Sequence, residues 1–385
     1  MRMKILFITK YSPDNGNAWG GEIQQFNTAK AIRRLGHEVV CLNSADAGEI
    51  QGIRFRKCLW KTMGGTPYYP IEGELKAIVN DERVDIVQHI GTTGVTIERL
   101  RRKENLNIGT CNIVATARKL SLRIKRDMSF LWRMKPFQWM SHRYERFCAR
   151  SADVVMPPSN ALRNYVREEF GVAATKIETV PNFIDLGELD SVSPERGVRY
   201  DGKTFVFAGR IVKEKGLDQI VRALATLGEE NSRKFKVLIL GEGPEKSRLQ
   251  RAAGELGVSQ LISFRGRVAH GEVLRHLVSS FGLVIMSQFD PFPTVVLEAM
   301  TYRKPVIGSN SGGIPEMIED GFNGYLVAPR DYRGLAQAMM TLADDPNLAR
   351  RMGENGRSRV QERYTADRIG REILAIYEDL TKSPN

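Results

Sequence analysis

At 385 residues the chain exceeds what one hydrophobic core ordinarily serves, so two domains are expected. A hydrophobic fraction of 42% with 26% charged residues describes a water-soluble globular protein, and 35 glycines with 16 prolines fall short of a disordered composition. The net charge of +12 points to an anionic partner without choosing between nucleic acid, phosphates and a membrane surface.

The first apolar run, Lys4 to Thr9, reads as a strand; its core, Ile5 to Ile8, is too short for a signal peptide, and no stretch approaches a membrane span. A loop containing Gly20-Gly21 follows. A helix then carries Ile23, Phe26, Ala29, Ile32 and Leu35 on one side, ends at Gly36, and leads into a strand at Glu38 to Leu42, which completes a β-α-β unit. Further runs at Val84 to Val87, Asn112 to Ala115 and Asp153 to Met156 alternate with helical stretches, as a parallel sheet buried on both faces requires. The four cysteines, Cys41, Cys58, Cys111 and Cys148, have neither metal-ligand spacing nor the density of a disulfide scaffold, so reduced thiols in a cytoplasmic protein are expected.

After Asp185 the polar, turn-rich stretch 186–197 reads as a linker. The scheme then restarts. Thr204 to Ala208 closes on Gly209-Arg210, Lys236 to Leu240 closes on Gly241-Glu242-Gly243, and Leu283 to Met286 and Pro305 to Gly308 follow. Beyond Asp331 the chain reads as helical, and its last helix, Ala366 to Leu380, is expected to pack back on the first domain. The expectation is an α/β protein of two doubly wound halves with a cleft between them: 1–186 joined by 366–385, and 187–365.

Open parallel sheets bind ligands beyond the carboxyl ends of their strands. Arg210 directly follows a strand and Lys215-Gly216 precedes a helix, which sets two cations beside an amide-rich turn suited to a diphosphate; taken alone, solvated surface cations explain the segment equally well. The segment Asp290 to Glu298 is more specific. One carboxylate lies at a strand-to-helix turn and the other in the helix that follows, an arrangement in which one can face a sugar while the other reaches a ribose. Pro293 suits the first helical position, leaving the N–H groups of Thr294 and Val295 for a phosphate. Glu298 sits among Val295, Val296, Leu297, Ala299 and Met300, and a carboxylate in such surroundings needs a partner.

With these residues the chain resembles, over nearly its whole length, the retaining glycosyltransferases of family 4. Phe207 to Gly216 resembles the family's diphosphate-binding loop, Leu240 to Pro244 its next Gly-rich turn, and Phe264 to Val268 the stretch that contacts the base. Asp290 to Glu298 is similar to its motif of two acidic residues separated by seven, and Lys304 to Glu316 to the segment after it. Gly20-Gly21-Glu22, Gly36 to Val39 and Val180 to Asp185 fit the first domain and the junction.

The resemblance implies a GT-B fold, in which two Rossmann-like doubly wound domains face a central cleft. It implies a hexosyltransferase that uses a nucleotide-diphosphate sugar, UDP-sugar favoured, and needs no obligatory metal or other cofactor. Arg210 and Lys215 would hold the diphosphate, Glu298 the ribose and Asp290 the transferred sugar. Gly243, Arg267, Val268, Pro293, Thr294 and Val295 would complete the donor site, with Gly20 and Gly21 closing over the phosphates because glycine permits close backbone approach. Transfer would retain configuration by front-face attack, the leaving phosphate receiving the acceptor proton while the protein positions groups and stabilises charge. Two departures fall where the sugar or acceptor is handled. Asp290 stands where Glu is usual, and Arg118 where a His is common; His89, near another frequent His, reads equally as structural or catalytic. The catalytic candidates are therefore Asp290, Arg118 and His89.

Residues 117–150 hold ten basic residues against two acidic ones, interleaved with aromatics. Contact with an anionic membrane would suit a lipid-linked or glycan acceptor, a solvated helical face carries equal weight, and nucleic acid ranks behind both. The Gly-x-Gly-x-x-Gly that a dehydrogenase needs after the first strand is absent, whereas a same-fold nucleotide-sugar epimerase stays an alternative, with the paired acidic motif against it. A silent donor-binding subunit is the alternative that Arg118 keeps open.

Overall fold

The computed structural model describes residues 2–11, 20–44, 47–63, 66–104, 106–114, 136–192, 203–228 and 234–382. The chain divides into two units: Met1–Phe183 with Ala366–Asn385, and Ile184–Thr365.

The first unit contains β1 (Lys4–Ile8), β2 (Glu38–Asn43), β3 (Gly48–Ile50), β4 (Ile53–Lys57), β5 (Trp60–Met63), β6 (Thr66–Pro70), β7 (Ile86–Ile90), β8 (Gly109–Ile113) and β9 (Val154–Met156). Seven of them form one sheet in the order β3-β4-β2-β1-β7-β8-β9, parallel except for the β3–β4 pair, while β5 and β6 form a separate hairpin. Side chains alternate across a strand, and β1 shows the result. Ile5 and Phe7 join Phe26 and Ile32 of helix Gly20–Arg34 with Ile369, Ile373 and Tyr377 of the last helix, Ala366–Lys382; Leu6 and Ile8 join Leu75, Ile78, Ile97 and Leu100 on the other face. A buried polar chain fastens that last helix. Tyr377 donates to Gln88 Oε1, Gln88 Nε2 donates to Gln25 Oε1 at 3.1 Å, and Gln25 Nε2 donates to the Ile8 carbonyl at 3.2 Å.

The second unit is an all-parallel sheet of β10 (Lys203–Ala208), β11 (Phe235–Leu240), β12 (Ile262–Gly266), β13 (Gly282–Ile285), β14 (Val306–Ser309) and β15 (Gly324–Val327), ordered β12-β11-β10-β13-β14-β15. The order reverses between β10 and β13, and in doubly wound sheets the crevice beyond such a reversal is where ligands bind. Phe205 and Phe207 of β10 pack into one core and Val206 into the other. The unit's two ends pair with each other: Ile184 N–H donates to the Tyr364 carbonyl at 3.0 Å and Ile184 bridges to Thr365.

Several local expectations are corrected. Gly20 and Gly21 open the helix rather than lying in the preceding loop. The strand expected at Val84 to Val87 spans Ile86–Ile90, because Gln88 finds partners in Gln25 and Tyr377, and His89 in Glu98 and Asn112, inside the unit. Within the expected linker, Leu186–Asp190 is a short helix, capped where Asp185 Oδ1 accepts from the Gly187 and Glu188 N–H groups. Arg357 holds it by donating to both Asp190 oxygens at 2.8 Å, and the Tyr302 hydroxyl donates to the Leu189 carbonyl at 3.1 Å. Among the described residues no helix is long and apolar enough to cross a membrane. The four cysteines are free and buried.

Candidate functional site

At the reversal in the second unit, the turns after β10, β11 and β12 stack backbone on backbone. Gly209 N–H donates to the Leu240 carbonyl at 2.9 Å, Ile211 N–H to the Glu242 carbonyl at 2.9 Å, and Gly241 N–H to the Gly266 carbonyl at 2.7 Å. This packing requires glycine at position 243, where an added Cβ would lie 2.1 Å from the Ile211 carbonyl oxygen. Arg210 and Arg267 stand exposed after β10 and β12, and Val268 packs half-buried against the core.

The turn after β10 tightens into a single 3₁₀ turn at Lys213–Lys215 and ends at Gly216, whose φ of +65 and approach to Met286 exclude a side chain: a Cβ there would sit 2.0 Å from the Met286 carbonyl oxygen. That approach brings the turn against the segment after β13, where Gln288 N–H donates to the Glu214 carbonyl at 2.8 Å. From the other side, Ser311 Oγ donates to the Gln288 carbonyl at 2.6 Å and Gly313 N–H to the Asp290 carbonyl at 2.8 Å. The backbone of Asp290 is thus clamped, the residue is only 7% exposed, and Lys215 Nζ donates to its Oδ2. Lys215 and Asp290, singled out separately in the sequence, form one ion pair.

Helix Thr294–Thr301 begins one residue later than expected, so buried Pro293 is the residue before its first turn. Val296 N–H bonds back to the Pro293 carbonyl at 3.1 Å, while Thr294 and Val295, half-buried, occupy the positions whose amides have no intrahelical acceptor. Glu298 is 6% exposed, and its Oε1 lies 3.0 Å from Nε2 of His270. Burial, and then the negative charges of Glu298 and Asp190, push the Tyr302 phenol up, so it serves as a donor.

In the first unit Gly20 is exposed and Gly21 half-buried at the helix start, and Glu22 Oε1 accepts the Lys10 N–H at 3.2 Å. His89 is fully buried. Its Nδ1 accepts from the Asn112 amide at 3.0 Å, so its Nε2–H faces Glu98 Oε1 at 3.0 Å; Glu98 Oε2 in turn lies 3.6 Å from Arg101, which reaches Asp153 at 2.8 Å. Both ring nitrogens thus have partners within the unit. Arg118 and the rest of 117–135 lie outside the described residues.

The model for glycosyl transferases group 1 matches residues 191–359, and that for glycosyltransferase family 4 matches residues 20–188. The chain belongs to the family 4 glycosyltransferases. It is 31% identical over 243 residues to the N-acetyl-alpha-D-glucosaminyl L-malate synthase of Bacillus anthracis, a match covering 62% of this chain and 62% of the relative, so the aligned part spans less than two thirds of that protein. Among solved structures, a sucrose-phosphate synthase from Thermosynechococcus elongatus superposes with a TM-score of 0.81 at 20% identity, over 98% of this chain and 99% of the other. Anabaena HepE in complex with UDP-glucose gives 0.78 at 18% identity, over 98% and 100%. At such identities the likeness shows the fold, and that fold is GT-B.

Against the motifs of a family 4 glycosyltransferase, the residue that sequence reasoning missed is His270. It lies two positions beyond the stretch matched to base contact and 28 residues from its carboxylate partner. A partner for Glu298 is implied by its apolar neighbours; which residue supplies it is decided by the packing of helix His270–Ser279 against helix Thr294–Thr301 and has no signal in the spacing.

Proposed function

We propose that this family 4 glycosyltransferase moves a hexose-type sugar, with retention, from a nucleotide-diphosphate sugar to a glycan, lipid-linked or small-molecule acceptor in polysaccharide or glycoconjugate biosynthesis. A UDP-sugar is the favoured donor, in keeping with the UDP-glucose complex of the structurally similar HepE. The observation that carries the reading is the Lys215–Asp290 contact at the sheet reversal, where a cation fit for a diphosphate and a carboxylate fit for sugar hydroxyls meet. Arg210, Lys215 and the Thr294 and Val295 amides take the diphosphate. Glu298 takes the ribose, Asp290 the sugar, and Gly243, Arg267 and Val268 line the nucleoside side. Gly20, Gly21 and Arg118 act from the domain 1–186, completed by 366–385, and the donor domain is 187–365.

In the transfer step the bond from the anomeric carbon to the diphosphate oxygen breaks, the acceptor oxygen forms the new bond on the same face, and its proton passes to the departing phosphate. The cations offset the charge that develops on the diphosphate, which is electrostatic stabilisation by groups already in place. Segment 117–150 would hold this cytoplasmic enzyme at the inner, anionic face of a membrane where a lipid-linked acceptor is presented.

A thermal-shift screen with uridine, guanosine and adenosine diphosphates tests the reading, because a ligand that binds the native state raises the melting temperature. One of the three, UDP by expectation, should do so, and no response to any of them overturns the donor site. Binding without hydrolysis or transfer across a donor panel would instead support a silent donor-binding subunit.

A further inference from the structure

We propose that His270 is a positioning residue, which orients the Glu298 carboxylate to receive the ribose hydroxyls and couples that contact to the turn after β12. The inference rests on the reading that a nucleoside diphosphate occupies this site. Glu298 lies in a helix where Val296, Leu297, Ala299 and Met300 are fully buried, and it is itself almost withdrawn from water. A desolvated carboxylate is costly unless donors meet it. The Nε2 of His270, at 3.0 Å from Oε1, is such a donor, and the bond leaves Oε2 as a second acceptor.

The two side chains differ in burial, and the difference identifies the role. The His270 side chain is 56% exposed, against 8% for that of Glu298, so the imidazole adds little to the apolar core. Its place is set by the backbone: Ala269, extended at φ −66 and ψ 151, precedes the helix that His270 begins, and Val268, two residues earlier, packs against the same core as Val296 and Leu297. A glutamate held only by its flexible stem would sample several rotamers, and fixing one oxygen with a charge-assisted hydrogen bond presents the other in a set direction. Binding sites gain affinity when a supporting group locks the side chain that touches the ligand.

The test is a thermodynamic cycle on ribose recognition, read as dissociation constants for UDP and 2′,3′-dideoxy-UDP by calorimetry. Wild type should prefer UDP by about tenfold, the worth of a hydrogen bond to a charged group. Glu298→Ala should abolish that preference. His270→Ala should remove most of it while leaving dideoxy-UDP affinity unchanged, His270→Gln should restore part because its amide can still donate, and His270→Ala should add nothing in the Glu298→Ala background. Retention of the full wild-type preference in His270→Ala overturns the inference while leaving the donor site standing. A wild-type protein that binds both analogues alike, or neither, overturns the ribose assignment and the inference with it.

Discussion

Lys215, on the turn after β10, donates directly to the carboxylate of Asp290, 75 residues later on the segment after β13. In the proposed mechanism these groups serve adjacent parts of the donor, so the ligand must share the cation with the carboxylate. Lys215→Ala should weaken UDP binding by about 1.5–3 kcal/mol, as loss of a charged hydrogen bond does. Asp290→Asn should leave UDP affinity equal or tighter while lowering turnover. The double variant should deviate from additivity by about 0.5–3 kcal/mol, as expected of side chains in contact. Additive effects in titration calorimetry would contradict this account.

Glu298→Ala and Arg210→Ala should each cost about 1.5–3 kcal/mol of nucleotide affinity. In the proposed donor site both act on the ground-state complex, so the loss should appear in binding with no acceptor present. Unchanged dissociation constants in the two variants would remove both from the site.

Arg118 calls for the opposite split. A guanidinium keeps its charge at all working pH values, so Arg118→Ala should lower turnover far more than nucleotide affinity, and the pH profile should show no acidic limb from this position. Arg118→Lys should recover part of the loss, since an ammonium cannot reproduce a bidentate fork. Full transfer by Arg118→Ala would make it a surface cation.

Gly216→Ala places a Cβ against the Met286 carbonyl in a left-handed backbone conformation. Strain of this kind costs about 1–3 kcal/mol before any rearrangement, so the variant should melt earlier and bind UDP more weakly. An unaltered melting curve would mean that the turn moves freely away from β13, contrary to the packing described.

The hydrogen bonds from Arg357 hold the Asp190 carboxyl below the usual carboxylate range. A carboxyl depressed in the folded state adds stability that is complete above its unfolded value, near 3.9, and is lost as pH falls through the folded value. Half of the Asp190 side chain is exposed, so solvent screening keeps the effect small. Denaturant titrations should show Asp190→Asn less stable than wild type at neutral pH, with the gap closing below about pH 4. A gap that persists undiminished at lower pH would assign the effect to packing.

The second unit was the more legible in sequence because parallel strands buried on both faces must be apolar and must end in turns that accept glycine. β10, β11, β13 and β14 have that form. β3, β12 and β15 do not: they are edge strands of three to five residues with polar or glycine positions. Polar residues at strand ends were ambiguous for another reason. Gln88 and His89 could face a ligand or one another's neighbours, and the choice is made by Gln25, Glu98, Asn112 and Tyr377, which folding brings in from four other elements. The same holds for Glu298: its need of a donor follows from its neighbours, but the identity of that donor is tertiary.

The pairing of Ile184 with Thr365 has a consequence for inheritance. A segment whose entry and exit lie side by side can be replaced with another of like ends at little cost in loop-closure entropy to the host. Residues 184–365 can therefore be exchanged as a cassette between Phe183 and Ala366, with Tyr377 still bonded to Gln88 and the first unit's core left whole. Under the proposed division of labour, donor choice and acceptor choice are then separable traits, and two crossovers, one at each junction of the segment, suffice to pair an old acceptor with a new sugar.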